Sequence, residues 1–495
     1  MAFDSLRDFI ETLEINGELV RVKKPVSTVY EITEIQTRLL AEDGPAVIFE
    51  NPIRADGQKS EIPILVNLFG TINRVARGMG RKKEDLRSFG EQLAFLQHPE
   101  PPDGLREAIS MLPLVKPVLA MKPRTLKHAP CQEVVLTGDQ IDLNKFPVQS
   151  CWPGEPSPLI TWPLVSTKSK GQTNLGIYRM QLIGRNQTLM RWLQHRGGAA
   201  AYSHAAEDRE DLPAAVTIGA DPGTIIAAVA PIPEKISEYE FAGLLRGNKL
   251  SLVECKTVPL KVPANAEIIL EGHVSFSKRA PEGPYGDHTG FYNAVEDFPV
   301  FTISAVTMRK NPIYLSTFTG RPPDEPSVLG EALNEVFVPL FTKQFPEVVD
   351  FWLPPDACSY RVAILSIKKS YPGHARRIMM AVWSYLKQFT YTKYVIVVDH
   401  DINTRNWGDV VWAISTHSDP SRDTVVIENT PMDYLDFASP YSGLGSKMGI
   451  DATTKLHPET LREWGKKIRM DEEVINKINQ IWDDLNLPGK GRSIW

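Results

Sequence analysis

The segment "PEGPYGDHTG" places two acidic residues, Glu282 and Asp287, five residues apart. In an extended chain such residues point to opposite faces, so their carboxylates converge only if the chain bends between them. The glycines and the proline between them permit that bend. Two converging carboxylates repel, and the pKa of the less solvated one rises, which allows it to deliver a proton near neutral pH. An acidic turn rich in Gly and Pro is more often a solvated loop, so other residues must decide whether this one is an acid pair for proton transfer.

A second polar pair, Asn174 and Arg179, lies in "NLGIYR", a run that is otherwise typical of a half-buried strand. An arginine that points inward needs an anionic partner. Glu282 or Asp287 can supply it, and an arginine between two carboxylates would hold both near one reacting centre while neutralising part of their charge. A structural ion pair at the surface is the alternative role for Arg179.

Candidate ligands for a phosphate and a metal follow in two further motifs. In "RWLQHRGG", His195 and Arg196 precede two glycines, whose exposed backbone N–H groups could meet a phosphate. In "SEYEFAGLLRG", Ser237 is a candidate helix cap and Glu238 lies in the first turn. Asn174, His195 and Glu238 together offer an amide oxygen, an imidazole and a carboxylate, a set that suits Mn²⁺ or Mg²⁺. Taken singly, such residues more often serve packing or capping.

Length and composition limit the class of protein. A chain of 495 residues exceeds the size of one hydrophobic core, so we expect two or three domains. A net charge of -5 gives no electrostatic reason to expect nucleic acid. The four cysteines are scattered, which argues against a zinc ribbon or a disulfide framework and favours a reducing compartment. We find no signal peptide and no apolar run of membrane-spanning length, and so expect neither secretion nor membrane insertion.

The first 115 residues predict a small α/β domain. Apolar residues at helical spacing precede Gly17, and "ELVRV" then alternates as a strand. A second helix is predicted at about 31–42, followed by the strand-like runs "AVIFE" and "IPILVNLFG". The segment 98–118 is dense in proline and predicts a connection that contains one short helix.

Three further regions complete the predicted organisation. Residues 116–325 contain short, regularly spaced strand-like runs that indicate a barrel. Residues 326–458 alternate helices with buried strands, the pattern of another α/β domain. Residues 459–495 are predicted to form a helical tail, in which Asp471 could cap a helix. The tail carries an apolar stripe that packs either on its own domain or on a neighbouring subunit, and the stripe consists of Ile475, Ile478, Ile481, Trp482 and Leu485.

Together these motifs resemble the UbiD family, whose members are reversible decarboxylases that depend on prenylated FMN. The resemblance runs from "LRDFIETLEINGELVRV" through "CWPGEPSPLITWPL", "NLGIYRMQLIG", "MRWLQHRGG" and "TGRPPDEPSVLGEALNEVF" to "SGLGSKMGIDATTK", nearly the whole chain. Within the family it points to decarboxylation of 4-hydroxy-3-polyprenylbenzoate to 2-polyprenylphenol in ubiquinone biosynthesis. It implies an amino-terminal α/β domain, a central split β-barrel that binds the flavin, and a carboxy-terminal α/β domain whose helical tail assists oligomerisation.

The resemblance also implies roles for individual residues. Glu282, Arg179 and Asp287 would form an acid–Arg–acid triad with Asp287 as proton donor. Asn174, His195 and Glu238 would hold Mn²⁺ or Mg²⁺ against the cofactor phosphate, and K⁺ is a further candidate ion. The flavin-binding positions implied by the motifs are Ile177, Tyr178, Arg179, Arg191, Trp192, Leu193, Arg196 and Gly197, with Lys447 as a candidate phosphate ligand.

The remaining expectations concern substrate, partners and location. Some family members have Glu where this chain has Asp287, and the shorter side chain leaves room that suits a bulky ring. A flavin prenyltransferase would supply the cofactor. We expect a cytoplasmic homo-oligomer, a hexamer by resemblance, that associates peripherally with the inner face of the cell membrane. The alternatives are a decarboxylase of another aromatic or phenylacrylic acid, and a non-catalytic flavin- or metal-binding scaffold.

Overall fold

The computed structural model describes residues 3–97, 116–192, 197–232, 236–385 and 387–488. These residues form an amino-terminal α/β domain, a central sheet-rich domain and a carboxy-terminal α/β domain, which confirms the predicted multidomain α/β class. Most of the predicted proline-rich connection, residues 98–115, lies outside the described residues. No helix within the described ranges has both the length and the apolar character needed to cross a bilayer.

The secondary structure follows in chain order. The α-helices are α1 (Leu6–Ile15), α2 (Glu31–Ala41), α3 (Ile72–Gly78), α4 (Leu86–Gln97), α5 (Gly197–Glu207), α6 (Pro222–Ala227), α7 (Glu238–Arg246), α8 (Glu325–Gln344), α9 (His374–Tyr385), α10 (Trp407–His417), α11 (Pro420–Asp423) and α12 (Glu472–Ile481). The strands of the first two domains are β1 (Leu19–Val22), β2 (Val26–Ser27), β3 (Ala46–Phe49), β4 (Pro52–Ile53), β5 (Ile64–Val66), β6 (Arg124–Leu126), β7 (Val134–Thr137), β8 (Leu159–Ile160), β9 (Leu164–Ser169), β10 (Gln172–Ile177), β11 (Met180–Leu182), β12 (Gln187–Met190), β13 (Leu212–Ile218), β14 (Ser251–Glu254), β15 (Lys261–Pro263), β16 (Ile268–Glu282), β17 (Glu296–Met308) and β18 (Tyr314–Leu315). Those of the third are β19 (Val348–Trp352), β20 (Val362–Ile367), β21 (Tyr394–Asp399), β22 (Thr424–Pro431) and β23 (Leu444–Ala452).

The amino-terminal domain confirms the predicted helix and strand order. Ser5 caps α1 by accepting a hydrogen bond from the backbone N–H of Asp8, and the apolar face of the helix is buried. Gly17 follows with a φ of 69°, a left-handed conformation that glycine adopts at little cost and that ends the helix. The sheet order is β1-β3-β5-β18. Its last strand comes from the far end of the central domain, so the chain returns to complete the first sheet.

The central domain is built on one nine-stranded sheet, in the order β10-β9-β13-β16-β17-β12-β11-β8, with β7 also paired to β17. The long strands β16 and β17 pair antiparallel through the middle of this sheet. Strands β11 and β12 are neighbours, and Met180 lies opposite Met190. The residues that follow β10, β12 and β16 therefore come together at one region of the sheet, and these are the segments that carry the predicted site.

The carboxy-terminal domain follows the long helix α8. Asp324 caps that helix by accepting a hydrogen bond from the N–H of Ser327 at 2.9 Å. The sheet order is β19-β20-β21-β23-β22, with helices α9 and α10 packed against it. In the tail, Asp471 caps α12 as predicted, accepting from the N–H of Glu473 at 2.8 Å. None of the residues of α12 is buried, and two residues of the apolar stripe, Ile478 and Leu485, are exposed.

Candidate active site

The chain bends sharply between the two acids of "PEGPYGDHTG", as their spacing predicts. Glu282 is the last residue of β16, and the next residue, Gly283, has a φ of 91°. The segment "CWPGEPSP" supports the turn from one side. Glu155 accepts a hydrogen bond from the N–H of Gly286 at 3.3 Å, and a Cβ at Gly286 would lie 2.2 Å from Trp152 Cδ1. Only glycine fits there, which is why this turn can pack so closely against the tryptophan.

Arg179 lies between the two carboxylates. Its Nε donates to Glu282 Oε1 at 2.8 Å, and its Nη1 donates to Asp287 Oδ2 at 2.9 Å. Its Nη2 also donates to Asn293 Oδ1 at 2.8 Å. Asn293 in turn donates to Glu282 Oε2 at 3.4 Å, which closes a ring of polar contacts. The structure therefore places the predicted acids on either side of one guanidinium, in a geometry that fixes both carboxylates.

A second arginine and a tyrosine from another domain complete the cluster. Arg191 follows β12, and its Nη1 lies 3.4 Å from Asp287 Oδ2 and 4.0 Å from Glu282 Oε2. Its Nη2 contacts the hydroxyl of Tyr434, which belongs to the carboxy-terminal domain. Arg191, Glu282 and Asp287 are all buried. The site thus joins two domains and contains two acids and two arginines.

The two acids differ in how readily they hold a proton. Burial raises the pKa of Glu282, and the charge of Arg179 only partly offsets this rise. Burial would also raise the pKa of Asp287, but the hydrogen bond from His288 and the charge of Arg179 together lower it below its usual value. The expectation that the less solvated acid has the raised pKa therefore applies to Glu282. The role of Asp287 as proton donor, which the family motif implies, stays a prediction.

Glu238, one of the three predicted metal ligands, contacts the residue that follows Asn174, another of them. Glu238 begins α7 after the Ser237 cap, and its Oε2 accepts a hydrogen bond from the N–H of Leu175 at 3.0 Å. Burial raises the pKa of Glu238. His195 lies outside the described residues. Within the described ranges, no three His, Cys, Asp or Glu side chains form a metal cluster, so the metal site stays a prediction.

The predicted flavin-binding residues leave two buried donors unpaired. Arg191 Nε and Trp192 Nε1 have no hydrogen-bond partner among the described residues. The rings of Tyr178 and Trp192 meet edge to face, with centroids 6.2 Å apart. A Cβ at Gly197 would lie 2.0 Å from Asn174 Oδ1, so the start of α5 approaches the predicted metal ligand closely. Ile177 ends β10 beside these residues, and Leu193 and Arg196 lie outside the described part of the chain.

Lys447 lies in a different environment. This lysine is buried in β23, and its Nζ donates to the carbonyls of Thr392 at 3.1 Å and Pro431 at 3.3 Å and also contacts the carbonyl of Thr390. Burial lowers its pKa to about 8. All three acceptors belong to the carboxy-terminal domain. These contacts do not join Lys447 to the other predicted site residues, and its role as a phosphate ligand is untested.

The structure adds three site residues that the sequence analysis did not single out: Asn293, His288 and Tyr434. His288 directly follows Asp287 within the motif, and its Nδ1 lies 2.8 Å from Asp287 Oδ1. Its position in the sequence could have identified it. Asn293 reaches the cluster because the chain folds back through a β-bridge between Gly286 and Tyr292. Tyr434 arrives from another domain, and no local motif signals it.

Comparison with known proteins identifies the family. Three protein-family models match the chain: the 3-octaprenyl-4-hydroxybenzoate carboxy-lyase N-terminal domain at residues 10–93, its Rift-related domain at 124–322 and its C-terminal domain at 327–452. The chain belongs to the UbiD family. It is therefore an enzyme of the carboxy-lyase class. The alternative function, a non-catalytic flavin- or metal-binding scaffold, is not supported.

Solved structures of UbiD-class enzymes agree with this assignment over the whole chain. Vanillic acid decarboxylase from Sedimentibacter hydroxybenzoicus in its closed form is 26% identical, with a TM-score of 0.85 over 98% of this chain and 100% of that one. HmfF from Pelotomaculum thermopropionicum in complex with FMN is 28% identical, with a TM-score of 0.77 over 93% and 97%. An evolved dimeric form of HmfF in complex with prFMN is 27% identical, with a TM-score of 0.77 over 94% and 97%.

Proposed function

We propose that the protein decarboxylates an aromatic carboxylic acid, and that this acid is 4-hydroxy-3-polyprenylbenzoate, which yields 2-polyprenylphenol for ubiquinone biosynthesis. The observation that carries the proposal is the buried cluster of Glu282, Arg179 and Asp287. Decarboxylation replaces a carboxylate with a hydrogen atom, so the site must hold an anion and then deliver a proton to the same carbon. Arginines and acids fixed together supply both functions.

Prenylated FMN is the proposed cofactor. The HmfF structures contain FMN and prFMN, and they support the same choice for this relative. The unpaired buried donors, Arg191 Nε and Trp192 Nε1, fit a bound group that is rich in acceptor oxygens and nitrogens. Ile177, Tyr178, Trp192 and Gly197 would hold it beside the cluster. When bound, the modified flavin supplies a sink for the electron pair that remains when CO₂ departs.

A divalent cation, Mn²⁺ or Mg²⁺, is proposed between Asn174 and Glu238, with His195 as the third ligand. The carboxylate of Glu238 is shielded from solvent, and within the described ranges no cationic side chain forms an ion pair with it. A bound cation would stabilise its ionised form. Amide and carboxylate oxygens are ligands that these cations prefer. The cation would in turn neutralise part of the cofactor phosphate charge.

Side chains of the protein itself position the charges at the site and supply the proton that the reaction needs. Arg179 fixes both carboxylates, and Arg191 places a second positive charge beside Asp287. These two charges offset the repulsion that the carboxylate of an incoming substrate would meet from Glu282 and Asp287. Each turnover releases CO₂ and requires one proton at the ring carbon. We assign that delivery to Asp287.

Another aromatic or phenylacrylic acid is the second candidate substrate. The similarity to vanillic acid decarboxylase favours a small hydroxybenzoate, because that relative acts on an acid without an isoprenoid tail. The choice of Asp at position 287 favours the bulkier substrate, because this side chain is one methylene shorter than the Glu found in other family members. Measuring CO₂ release from prenylated and unprenylated acids in direct competition would distinguish the two candidate substrates.

The proposed substrate also sets where the enzyme works. A long isoprenoid tail partitions into a bilayer, because each buried methylene contributes about 0.8 kcal/mol. We therefore propose that the enzyme is cytoplasmic, meets this substrate at the inner face of the membrane by peripheral association, and obtains its cofactor from a flavin prenyltransferase. Asp483 and Asp484 follow the tail helix and would repel anionic headgroups, so the helix is not the proposed membrane contact.

The exposed residues Ile478 and Leu485 of the apolar stripe support self-association, with a hexamer as the proposed state. Deleting the residues after Met470 is expected to reduce the oligomer in analytical ultracentrifugation while leaving liposome binding largely intact. Loss of liposome binding with an unchanged oligomer would show that the helix contacts lipid instead.

The test of the main proposal is expression with and without a flavin prenyltransferase, followed by absorption spectra and CO₂ release. The purified enzyme would be offered a prenylated 4-hydroxybenzoate, vanillate and 3,4-dihydroxybenzoate in parallel. We expect cofactor-dependent CO₂ release, greatest from the prenylated acid. Release only from the unprenylated acids would replace the polyprenyl substrate with the second candidate. No release from any aromatic or phenylacrylic acid would remove the proposed activity.

A further inference from the structure

The two oxygens of Asp287 face different kinds of partner. Oδ2 accepts from Arg179 at 2.9 Å and from Arg191 at 3.4 Å, on the side of the acid–Arg–acid cluster. Oδ1 accepts from the backbone N–H of His288 at 2.8 Å and lies 2.8 Å from Nδ1 of the same residue. The imidazole is therefore bonded to the carboxylate that the family motif assigns to proton delivery, on the edge away from the arginines.

The side chain of His288 is more accessible to solvent than the two acids of the cluster. Its side chain is 22% exposed, whereas that of Glu282 is fully covered. No described residue forms a hydrogen bond with Nε2, so the ring is held at one nitrogen only. The turn that carries His288 is closed by a hydrogen bond from the N–H of Gly290 to the carbonyl of Asp287 at 2.8 Å. The imidazole thus lies between a buried carboxylate and water, where it can exchange protons with both.

Charged groups from several elements surround this pair. The groups that act on His288 are Asp287 beside it, Asp433 and Arg361 of the carboxy-terminal domain, and Asp324 at the cap of α8. The groups that act on Asp287 include Arg179, Arg191, Glu282 and Tyr434.

These surroundings decide which member of the pair holds the proton. Burial would lower the pKa of His288, but the hydrogen bond and the charge of Asp287, joined by the charge of Asp433, raise it above its usual value. The pKa of Asp287 is lowered by the same contact. Both shifts favour the arrangement in which the imidazole carries the proton and Asp287 is ionised.

We propose that His288 is the proton source of the reaction, passing a proton to Asp287 Oδ1, from which the carboxyl group protonates the substrate carbon. This inference rests on the proposed decarboxylation. The bond between the ring carbon and the carboxyl carbon breaks, CO₂ leaves, and the retained electron pair forms a C–H bond with the proton. One proton is consumed per turnover, and no oxidant or reductant is needed. The neutral imidazole then recovers a proton from water.

The alternative is that His288 only orients Asp287. The variant His288→Gln separates the two, because the amide can donate a hydrogen bond to Asp287 but cannot donate a proton. His273→Gln is the matched control, a half-buried histidine on β16 with no side-chain hydrogen bond to another described residue. All proteins would be loaded with cofactor by coexpression with a flavin prenyltransferase, and kcat for CO₂ release would be measured between pH 5.5 and pH 9.

If His288 is the proton source, the loss of kcat caused by replacing it should depend on pH. The wild type and His273→Gln should lose activity as pH rises through the pKa of His288. His288→Gln should lose roughly 10²-fold in kcat at pH 8 and much less at pH 6, where Asp287 without its imidazolium partner takes a proton directly from solvent. Added imidazole should restore part of the activity of His288→Ala. A loss that is equal at every pH and is not rescued by imidazole would leave only the orienting role.

A second measurement does not depend on activity. In the protein without cofactor, ¹⁵N NMR should give His288 a titration midpoint above that of free histidine, and Asp287→Asn should lower it. An unchanged midpoint in Asp287→Asn would overturn the proposed pairing of His288 with Asp287. Full activity of His288→Gln at all pH values would overturn the role of His288 as proton source. If the wild type and His273→Gln release no CO₂ from any acid, the proposed function itself fails, and the inference with it. If His288→Gln does not fold, His288→Asn takes its place.

Discussion

Two of the buried ionic clusters in the described part of the chain, one in the active site and one in the carboxy-terminal domain, are built differently. In the second cluster, Lys455 Nζ donates to the carbonyl of Asp451 at 2.9 Å, to Asp451 Oδ1 at 3.1 Å and to the carbonyl of Thr453 at 2.7 Å. Each of its three protons has an acceptor. In the active site, by contrast, Arg191 Nε has no partner among the described residues, although this arginine is equally buried.

This difference separates a cluster that stabilises the fold from one that receives a ligand. Burying a charge is costly unless its hydrogen bonds are complete, so a complete network is the arrangement that folding alone favours. Arg246 Nε and Arg361 Nε are also unpaired among the described residues, so the missing partner of Arg191 indicates a ligand because this arginine lies beside the acid–Arg–acid cluster and the predicted flavin-binding residues. Lys447, whose ammonium contacts three backbone carbonyls, belongs to the first kind.

The largest effect is expected from Asp287→Asn in the active-site cluster. The variant should fold and bind cofactor, because Asn keeps the shape of the side chain, but kcat should fall by roughly 10²–10⁴-fold, since an amide cannot deliver a proton. Single-turnover CO₂ release and product protonation would be measured beside Asp297→Asn, an exposed acid on β17. A rate near that of the wild type would remove Asp287 from the reaction.

In the other cluster, Lys455→Met should affect stability and not chemistry. Breaking a buried ion pair costs about 3–5 kcal/mol, and the loss here should lie at or below that range because Lys369 Nζ remains 3.6 Å from Asp451 Oδ2. Urea unfolding should show this decrease relative to Lys466→Met, which alters an exposed lysine. The folded fraction should keep its kcat. A large fall in kcat without a change in unfolding free energy would show that the complete network also serves the reaction.

Glu238→Ala should weaken metal and flavin binding together, by about 10–100-fold for the metal, because each bound charge screens the other. Metal analysis and flavin absorbance of the purified protein would give both occupancies. Glu240→Ala is the control, since it removes the capping contact to Ser237 from the same helix and leaves Glu238 in place. Full flavin occupancy without metal would contradict the proposed site.

The smallest effect is expected from Lys447→Met. Because the ammonium already contacts carbonyls of its own domain, flavin occupancy should stay within about twofold of the wild type, while stability falls. Fluorescence titration of the protein with FMN would measure the affinity. A tenfold weaker affinity would restore the phosphate-ligand role that the "GSKMG" motif implies.

Local features of the fold could be predicted from the sequence, because each is decided within a few residues. The apolar spacing of α1, the caps at Ser237 and Asp471, and the bend between Glu282 and Asp287 all follow from side-chain and backbone preferences that neighbours enforce. The charge of Arg179 likewise demanded an anionic partner, and the two acids of the bend are the partners that it has.

Other features depend on contacts between distant segments. Tyr434 meets Arg191 only because the carboxy-terminal domain packs against the central one, and nothing in "PMDYLDF" indicates that contact. The difference in pKa between Glu282 and Asp287 also could not be predicted from their spacing. It depends on burial and on His288, and both are products of the completed fold.

The return of β18 to the first sheet has a consequence for synthesis of the chain. Strand β5 pairs on one side with β3, which is made shortly before it, and on the other with β18, which emerges only after the central domain has been translated. At about 5–20 residues per second, the ribosome leaves that edge of β5 unpaired for on the order of ten seconds or more. An unpaired apolar edge invites pairing with other chains. Nascent chains stopped before Tyr314 should therefore be the aggregation-prone species, and the amino-terminal domain is the first to be started and among the last to be finished.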